Sequence, residues 1–138
     1  MGQPFIVHEY VRWGDIDIVG IVRYDAYLRF VEFAESELLR AEGLQYHDMV
    51  EQHAITLPRK VMHMEFISPG HLDERLEIRT YVSTVGRTSL RLDFDLFGED
   101  GAARAKGYLV LVAVDVETLE KRPLPRELVE RLAPYTTA

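Results

Sequence analysis

The sequence contains no cysteine. Disulfide bonds, thiol nucleophiles and thiolate metal sites are therefore excluded. It also lacks an uninterrupted apolar run near the 18 or so residues that a membrane span needs, and its first residues have no basic stretch followed by a long apolar one. We therefore expect neither a membrane-spanning helix nor a secretory signal, and we expect a cytoplasmic protein.

Basic residues are outnumbered by acidic ones. The 16 Lys and Arg against 23 Asp and Glu give a net charge of -7 with His neutral. Because nucleic-acid and anionic-membrane binding are driven mainly by Lys and Arg, we expect neither partner. The five histidines show no His-Glu-x-x-His spacing, and no Gly-x-Ser-x-Gly motif occurs. We therefore expect no metal site and no Ser-His-Asp hydrolase.

The length indicates one domain. The chain has 138 residues, and domains most often contain about 100–150. Its composition, 47% hydrophobic and 28% charged, is typical of globular proteins. There is no internal repeat, linker or low-complexity segment. We therefore predict a single domain over residues 1–138.

Changes in hydrophobic period divide the chain into elements. Apolar residues alternate over 5–13, which predicts a strand, and recur every three or four residues over 24–42, which predicts an amphipathic helix. Gly43 is placed to end that helix. Further strands are predicted over 60–67, 76–83, 90–96 and 105–116, the last as a central strand covered on both faces, and a short helix over 121–134. Residues 45–53 fit a short helix or a loop.

This order predicts an α+β fold, in which one long helix lies across a five-stranded antiparallel sheet. One helix cannot cover such a sheet completely, so an edge strand and an apolar surface should remain for a partner. We therefore expect a homo-oligomer with sites near the subunit interface. The helix carboxylates Glu32, Glu35 and Glu37 are expected to face water.

Two carboxylates stand just before the long helix, in the segment W-G-D-I-D-I-V-G-I-V-R-Y-D-A-Y at 13–27. A carboxylate there faces free backbone N–H groups and the positive end of the helix dipole. The same N–H groups can polarise a carbonyl, so the segment can serve attack on an ester-like carbon. Asp17 is our candidate for this chemistry. From the motif alone, Asp15 and Asp17 can equally be residues that cap the turn.

Four stretches carry a family resemblance: G-D-I-D-I-V-G-I-V-R-Y-D-A-Y at 14–27, L-P-R-K-V-M-H-M-E-F-I-S-P-G-H-L-D-E-R-L-E-I at 57–78, G-R-T-S-L at 86–90 and K-R-P-L-P at 121–125. They resemble the hotdog-fold acyl-CoA thioesterases of the 4-hydroxybenzoyl-CoA thioesterase type, including the Tol-Pal-associated branch. The resemblance covers nearly the whole chain. It implies a hotdog domain, in which a curled five-stranded antiparallel sheet wraps the long helix and a short C-terminal helix follows. It also implies homodimers or homotetramers.

The resemblance further implies an acyl-CoA thioesterase that needs no cofactor, coenzyme A being part of the substrate. Coenzyme A or an acyl carrier protein would carry the thioester. Asp17 would be the catalytic carboxylate, and the backbone N–H of Tyr24 would polarise the thioester carbonyl. Arg87, in a turn between two late strands, is similar to the family's contact with the coenzyme A phosphates. The predicted substrate-binding residues are Arg87, Arg59, Tyr27 and Val22.

The sequence leaves the mechanism and two other functions open. Asp17 can attack the carbonyl to give a mixed anhydride, or activate water as a general base. A hotdog hydratase typically pairs Asp or Glu with His, whereas Val22 stands five residues after Asp17. The remaining hypothesis is a non-enzymatic acyl-CoA sensor or interaction module, which would bind a thioester tightly without turnover.

Overall fold

A long helix lies against a five-stranded antiparallel sheet in this computed structural model, which describes residues 2–137. In chain order the elements are β1 (Phe5–Tyr10), a 3-10 turn (Trp13–Asp15), α1 (Ala26–Ala41), α2 (Tyr46–His53), β2 (Ile55–Thr56), β3 (Arg59–Phe66), β4 (Arg75–Val85), β5 (Ser89–Phe97), β6 (Ala103–Val112), β7 (Val114–Asp115), α3 (Arg126–Leu132) and a second 3-10 turn (Ala133–Tyr135). Within residues 2–137 no helix is both long and apolar enough to cross a membrane.

The sheet has the strand order β1-β4-β5-β6-β3, and every neighbouring pair is antiparallel. β2 and β7 form a separate two-stranded ribbon. β3 and β6 approach closely at Gly107, where an added Cβ would lie 2.1 Å from the carbonyl oxygen of His63. Glycine is therefore required at this point of the sheet if the two strands are to keep their spacing.

The buried stripe of α1 packs against one face of the sheet. Phe30, Val31, Ala34 and Leu38 follow the three-and-four spacing of one helix face, and each is at most 2% exposed. The alternating inward residues of the strands meet them; they include Leu76, Ile78, Leu92, Phe94 and Leu96. Burial of a side chain as large as Phe30 stabilises the fold by about 2–3 kcal/mol. The helix is thus fixed across the sheet by its apolar face.

The boundaries of α1 differ slightly from the prediction. The helix begins at Ala26, because Tyr24 and Asp25 form a turn in which the Ala26 N–H donates to the carbonyl oxygen of Arg23 at 3.0 Å. It ends at Ala41, and Gly43 follows with a φ of 70°. The prediction that this glycine ends the helix in a left-handed conformation is confirmed. The segment 45–53, left open by its sequence, contains α2.

The prediction of a central strand over 105–116, covered on both faces, is wrong. β6 is the fourth of five strands, and β5 holds the centre. The outward side chain of Tyr108 is half-buried under single side chains and not under a second layer: the His63 ring stacks on it at 5.2 Å, and Arg91 lies 3.7 Å above it. A long side chain from a neighbouring strand can shield an apolar run as a helix would.

The predicted α+β architecture is confirmed, including the incomplete cover of the sheet. β3 is an edge strand, exposed at every position except Met64. Its apolar residues Val61, Met62 and Phe66 are 39, 42 and 55% exposed. Such an edge can pair with another chain, so the homo-oligomer stays a prediction that this surface supports.

Candidate active site

The loop between the 3-10 turn and α1 is a tight hairpin. Ile16 pairs with Val22, and the Asp17 N–H donates to the carbonyl oxygen of Ile21 at 2.9 Å. At the tip, the Gly20 N–H donates to the carbonyl oxygen of Asp17 at 3.0 Å, and Gly20 has a φ of 85°. Few other residues adopt this conformation. The hairpin therefore holds Asp17 at a fixed place beside the helix start.

One carboxylate oxygen of Asp17 is used by the hairpin and the other is not. Oδ1 accepts hydrogen bonds from the N–H groups of Val19 at 2.9 Å and Ile21 at 3.3 Å. Oδ2 accepts none from residues 2–137. The side chain is half-buried. Asp17 thus caps its own turn, as the motif allowed, and still offers one oxygen for chemistry.

A cavity of about 610 Å³ opens beside Asp17. It lies between the hairpin, the start of α1 and the segment that follows β3. Its lining residues are Asp17, Ile21, Val22, Arg23, Tyr24, Tyr27, Phe66, Ile67, Ser68 and Pro69. The rings of Tyr27 and Phe66 meet at 5.4 Å between centroids and form an apolar wall. The structure therefore brings together four residues that the sequence predicted for the site: Asp17, Val22, Tyr24 and Tyr27.

The backbone at the start of α1 supplies a donor at this cavity. Tyr24 lies in the turn before the helix, and its N–H makes no hydrogen bond within the described part of the chain. The positive end of the α1 dipole lies at the same place. An oxygen that gains negative charge there would be stabilised by both.

An ion-pair network anchors the hairpin to the helix. The Arg29 guanidinium donates to both carboxylate oxygens of Asp15, at 2.8 and 2.5 Å, and to Glu9 Oε2 at 2.9 Å. Asp15 and Glu9 are 5 and 9% exposed. The Asp15 carboxylate also accepts the Arg12 N–H, and its carbonyl oxygen accepts the Arg23 N–H. Asp15 therefore has a structural role. The sequence pattern did not single out Arg29, although its position one turn after the helix start places it beside the segment that carries the two carboxylates.

A second network supports the opposite wall of the cavity. The buried Arg104 donates to Glu74 Oε2 at 2.8 Å, to Asp100 Oδ1 at 3.1 Å and to Ser68 Oγ at 2.9 Å. Ser68 lines the cavity and donates to the carbonyl oxygen of Ala103 at 2.6 Å. The segment after β3 is thus tied to β6 by buried polar contacts, which sequence reasoning also missed.

The two networks perturb the carboxyl pKa values. Burial alone would raise the pKa of Asp15 and of Glu9, but hydrogen bonds from Arg29, backbone N–H groups and the nearby guanidinium charges outweigh burial and lower both. Burial alone would also raise the pKa of Glu74, but Arg104 and the N–H groups of His71 and Glu99 outweigh burial and lower it. All three groups are therefore held as carboxylates at neutral pH.

These shifts predict acid sensitivity of the fold. The pKa values of Glu9, Asp15 and Glu74 are lower in the folded chain, so the unfolded chain takes up protons first as the pH falls. Their stabilisation is complete above the ordinary carboxyl pKa of about 4 and is lost as the pH falls through the lowered folded values. Urea denaturation at several pH values should show a steep drop in the free energy of unfolding below about pH 4. Asp15→Asn should flatten that drop, and an equal slope in both proteins would contradict the prediction.

Two predicted substrate-binding residues lie away from this cavity. Arg87 is exposed in the turn between β4 and β5, where its carbonyl oxygen accepts the Leu124 N–H at 2.8 Å. Arg59 begins β3 and is paired with Glu35, which lies in the middle of α1. The expectation that Glu35 faces water is wrong, because this carboxylate is 1% exposed. Its partner comes from a different part of the chain, which the helical pattern alone does not reveal.

Known proteins resemble this chain in amino-acid sequence or in fold. "Acyl-CoA thioester hydrolase YbgC" of Escherichia coli O6:H1 is 28% identical over 119 residues, which are 86% of this chain and 88% of that protein. A 1,4-dihydroxy-2-naphthoyl-CoA thioesterase from Synechocystis superposes with a TM-score of 0.88 at 20% identity, over 95% of this chain and 96% of that one. A Staphylococcus aureus protein solved in complex with CoA gives a TM-score of 0.89 at 19% identity, over 98% and 85%.

The two superpositions confirm the predicted hotdog fold. The family assignment comes from the sequence itself. The thioesterase-like superfamily matches residues 11–132, which include the hairpin, α1 and the whole sheet apart from β1. This chain therefore belongs to the thioesterase-like superfamily.

Proposed function

We propose that this protein hydrolyses acyl-CoA thioesters to a carboxylic acid and free coenzyme A, with Asp17 as the catalytic carboxylate. The observation that carries the proposal is the pairing of two unused groups at one apolar cavity. Asp17 Oδ2 accepts no hydrogen bond, and the Tyr24 N–H donates none, among residues 2–137. A nucleophilic or basic oxygen and a carbonyl-polarising donor are what attack on a thioester requires.

In the proposed reaction the thioester carbonyl oxygen accepts a hydrogen bond from the Tyr24 N–H. Asp17 Oδ2 then either attacks the carbonyl carbon or removes a proton from a water that attacks it. The carbon–sulfur bond breaks in both routes, and coenzyme A leaves as its thiolate. In the first route a water later cleaves the mixed anhydride. The negative charge that forms on the carbonyl oxygen is stabilised by the Tyr24 N–H and by the positive end of the helix dipole. In other enzymes, loss of one such donor removes about 3–4 kcal/mol of transition-state stabilisation.

The relatives support this substrate class. The E. coli relative is named an acyl-CoA thioester hydrolase, and the Staphylococcus aureus structure holds CoA. We propose that Arg87, exposed on its turn, meets the coenzyme A phosphates, since a guanidinium forms charge-assisted hydrogen bonds with phosphate. We also propose that two chains associate through the exposed edge of β3.

The direct test is thiol release from a panel of thioesters. The panel spans short, long and aromatic acyl-CoA esters and matched acyl carrier protein thioesters, with free thiol followed by a colorimetric reagent. We expect catalysed release from at least one class. Tight binding of a thioester with no release from any panel member would favour a sensor. Water addition to an enoyl-CoA without thiol release would favour a hydratase.

A further inference from the structure

A second cavity, of about 500 Å³, borders the hairpin that carries Asp17. We call it the Trp13 cavity, because Trp13, Ile16 and Ile18 line it together with Asp17 and Arg23. Asp17 and Arg23 also line the 610 Å³ cavity described above, the Asp17 cavity. The two cavities therefore adjoin at the carboxylate that we assign to catalysis and at one arginine.

The backbone of Arg23 is fixed, whereas part of its guanidinium is free. The Arg23 N–H donates to the carbonyl oxygen of Asp15 at 2.8 Å, and the Arg23 carbonyl oxygen accepts the Ala26 N–H at 3.0 Å. The side chain is exposed, and its Nε donates to Asp25 Oδ1 at 3.2 Å. Neither Nη group has a hydrogen-bond partner within residues 2–137. These two Nη groups form one edge of the guanidinium, which can bind a carboxylate through two parallel hydrogen bonds.

The charge of the two cavities favours one anionic ligand group. Among residues 2–137, Arg23 is the only basic residue that lines either cavity, and Asp17 is the only acidic one. Apolar side chains such as Trp13, Ile18 and Phe66 form much of the remaining walls. In a mostly apolar site, a few polar groups determine which ligand binds. Arg23 is therefore the group that would select a ligand by its charge.

The position of Arg23 determines which part of a thioester it meets. Tyr24 is the next residue, so a carbonyl oxygen bound to the Tyr24 N–H lies close to the base of the Arg23 side chain. The Nη atoms lie at most about 7 Å from the Arg23 Cα, at roughly 1.2 Å per bond. In an extended coenzyme A arm the nearest phosphate lies roughly 14 bonds, or about 16 Å, from the thioester carbon. The anion that Arg23 meets therefore belongs to the acyl group.

We propose that Arg23 is a specificity-determining residue that binds a carboxylate at the end of a short acyl group, so that the preferred substrates are thioesters of dicarboxylic acids. This inference rests on the proposed thioesterase function and adds a substrate class to it. It holds whichever cavity receives the acyl group, because Arg23 lines both. Asp17 repels a carboxylate placed directly beside the thioester carbon, so about two to four methylene groups must separate the two.

The first test measures succinyl-, glutaryl- and adipoyl-CoA on the wild-type protein. Each is compared with an uncharged ester of similar shape, in which an isopropyl group replaces the carboxylate, and uncatalysed thiol release is subtracted. We expect kcat/KM to be at least about fivefold higher for the charged member of the best pair, the upper end for a partly exposed ion pair. Malonyl-CoA should show no such preference, because its carboxylate lies too near Asp17. A ratio of one or less for every pair would overturn the inference.

The second test uses Arg23→Met and Arg23→Lys. In Arg23→Met the ratio of charged to uncharged kcat/KM should fall at least about tenfold, because the carboxylate loses its cation and meets an apolar side chain. Arg23→Lys keeps a charge and should retain part of the preference. The ratio compares two esters on one protein, so a general loss of activity cancels.

The matched control for Arg23→Met is Arg40→Met. Arg40 also pairs with one surface carboxylate, that of Glu37, and it lines neither cavity. Its ratio should equal that of the wild-type protein. An Arg23→Met protein that keeps the wild-type ratio would contradict the proposed contact.

Thioesters of N-acetylcysteamine distinguish an acyl carboxylate from a coenzyme A phosphate. They keep the sulfur and the first part of the pantetheine arm but carry no phosphate. The effect of Arg23→Met on the ratio should be as large with these thioesters as with coenzyme A esters. If Arg23→Met instead raised KM equally for charged and uncharged coenzyme A esters and changed nothing for N-acetylcysteamine thioesters, Arg23 would bind a phosphate and the inference would fail.

These outcomes separate the inference from the thioesterase proposal. If the wild-type protein releases no thiol from any ester, both fail. If thiol is released but the charged ester is not preferred in any pair, the inference about Arg23 fails and the thioesterase proposal stands. The wild-type comparison needs no variant, so poor folding of Arg23→Met would leave the inference testable.

Discussion

Replacing Asp17 by Asn is expected to lower kcat at least about a hundredfold on the best thioester of the panel, since a positioned acid or base contributes about 10²–10⁴-fold. The asparagine amide oxygen can keep the two N–H contacts of Val19 and Ile21 that now reach Oδ1. The new NH2 takes the place of Oδ2, which accepts no hydrogen bond from the described residues. The free energy of unfolding should therefore stay nearly unchanged while the reactive oxygen is lost.

The matched control for this experiment is Asp48→Asn in α2. Asp48 pairs with His47 at the surface and does not line the Asp17 cavity. Thiol release is measured at saturating substrate for both variants, and urea denaturation checks that both are folded. A folded Asp17→Asn protein with wild-type kcat would remove this carboxylate from the mechanism and favour the reading in which it only caps its turn.

Replacing Arg29 by Met is expected to cost about 3 kcal/mol of folding free energy, because it leaves the buried Asp15 carboxylate without its guanidinium partner and leaves Glu9 with Arg12 alone. Asp15 loses both of its side-chain contacts to the guanidinium, and Glu9 loses one. The hairpin that carries Asp17 is tied to α1 through the same guanidinium. We therefore expect kcat to fall together with the urea midpoint.

Arg40→Met provides the control for Arg29→Met. Arg40 lies on the same helix and pairs with Glu37 at the surface, where such pairs contribute at most about 1 kcal/mol. A double variant that also carries Asp15→Asn should recover part of the stability, since the unpaired buried charge is removed. If Arg29→Met were no less stable than Arg40→Met, the network would not anchor the hairpin.

The two ion-pair networks explain how a half-exposed loop can present a reactive group in one place. Arg29 fixes the hairpin side of the cavity, and Arg104 fixes the side formed by Ser68. Each guanidinium lies on an element of the helix–sheet core, α1 or β6. A positioned catalytic group needs such support from rigid elements. The cavity walls are therefore held by charges that take no part in the proposed chemistry.

Much of the fold was predictable because hydrophobic period is a local property. The three-and-four spacing of Phe30, Ala34 and Leu38 indicated the helix, and alternation indicated the strands around Leu92 and Phe94. The central position assigned to β6 was wrong because strand order depends on pairing between distant segments, which no local pattern contains. The side chains that shield Tyr108 come from two different strands.

The sequence by itself determined the helix, most of the strands and the presence of Asp17 and Tyr24 at one cavity, because these two residues belong to one short loop that runs into the helix. Only the tertiary structure decided which charges are buried. Glu35 lies four residues after Val31, on the buried stripe, but its charge indicated a solvated face. Burial of that carboxylate became possible when Arg59 and Tyr46, from other segments, were brought against it. A buried charge depends on its partners, and partners distant in sequence meet only when the chain has folded.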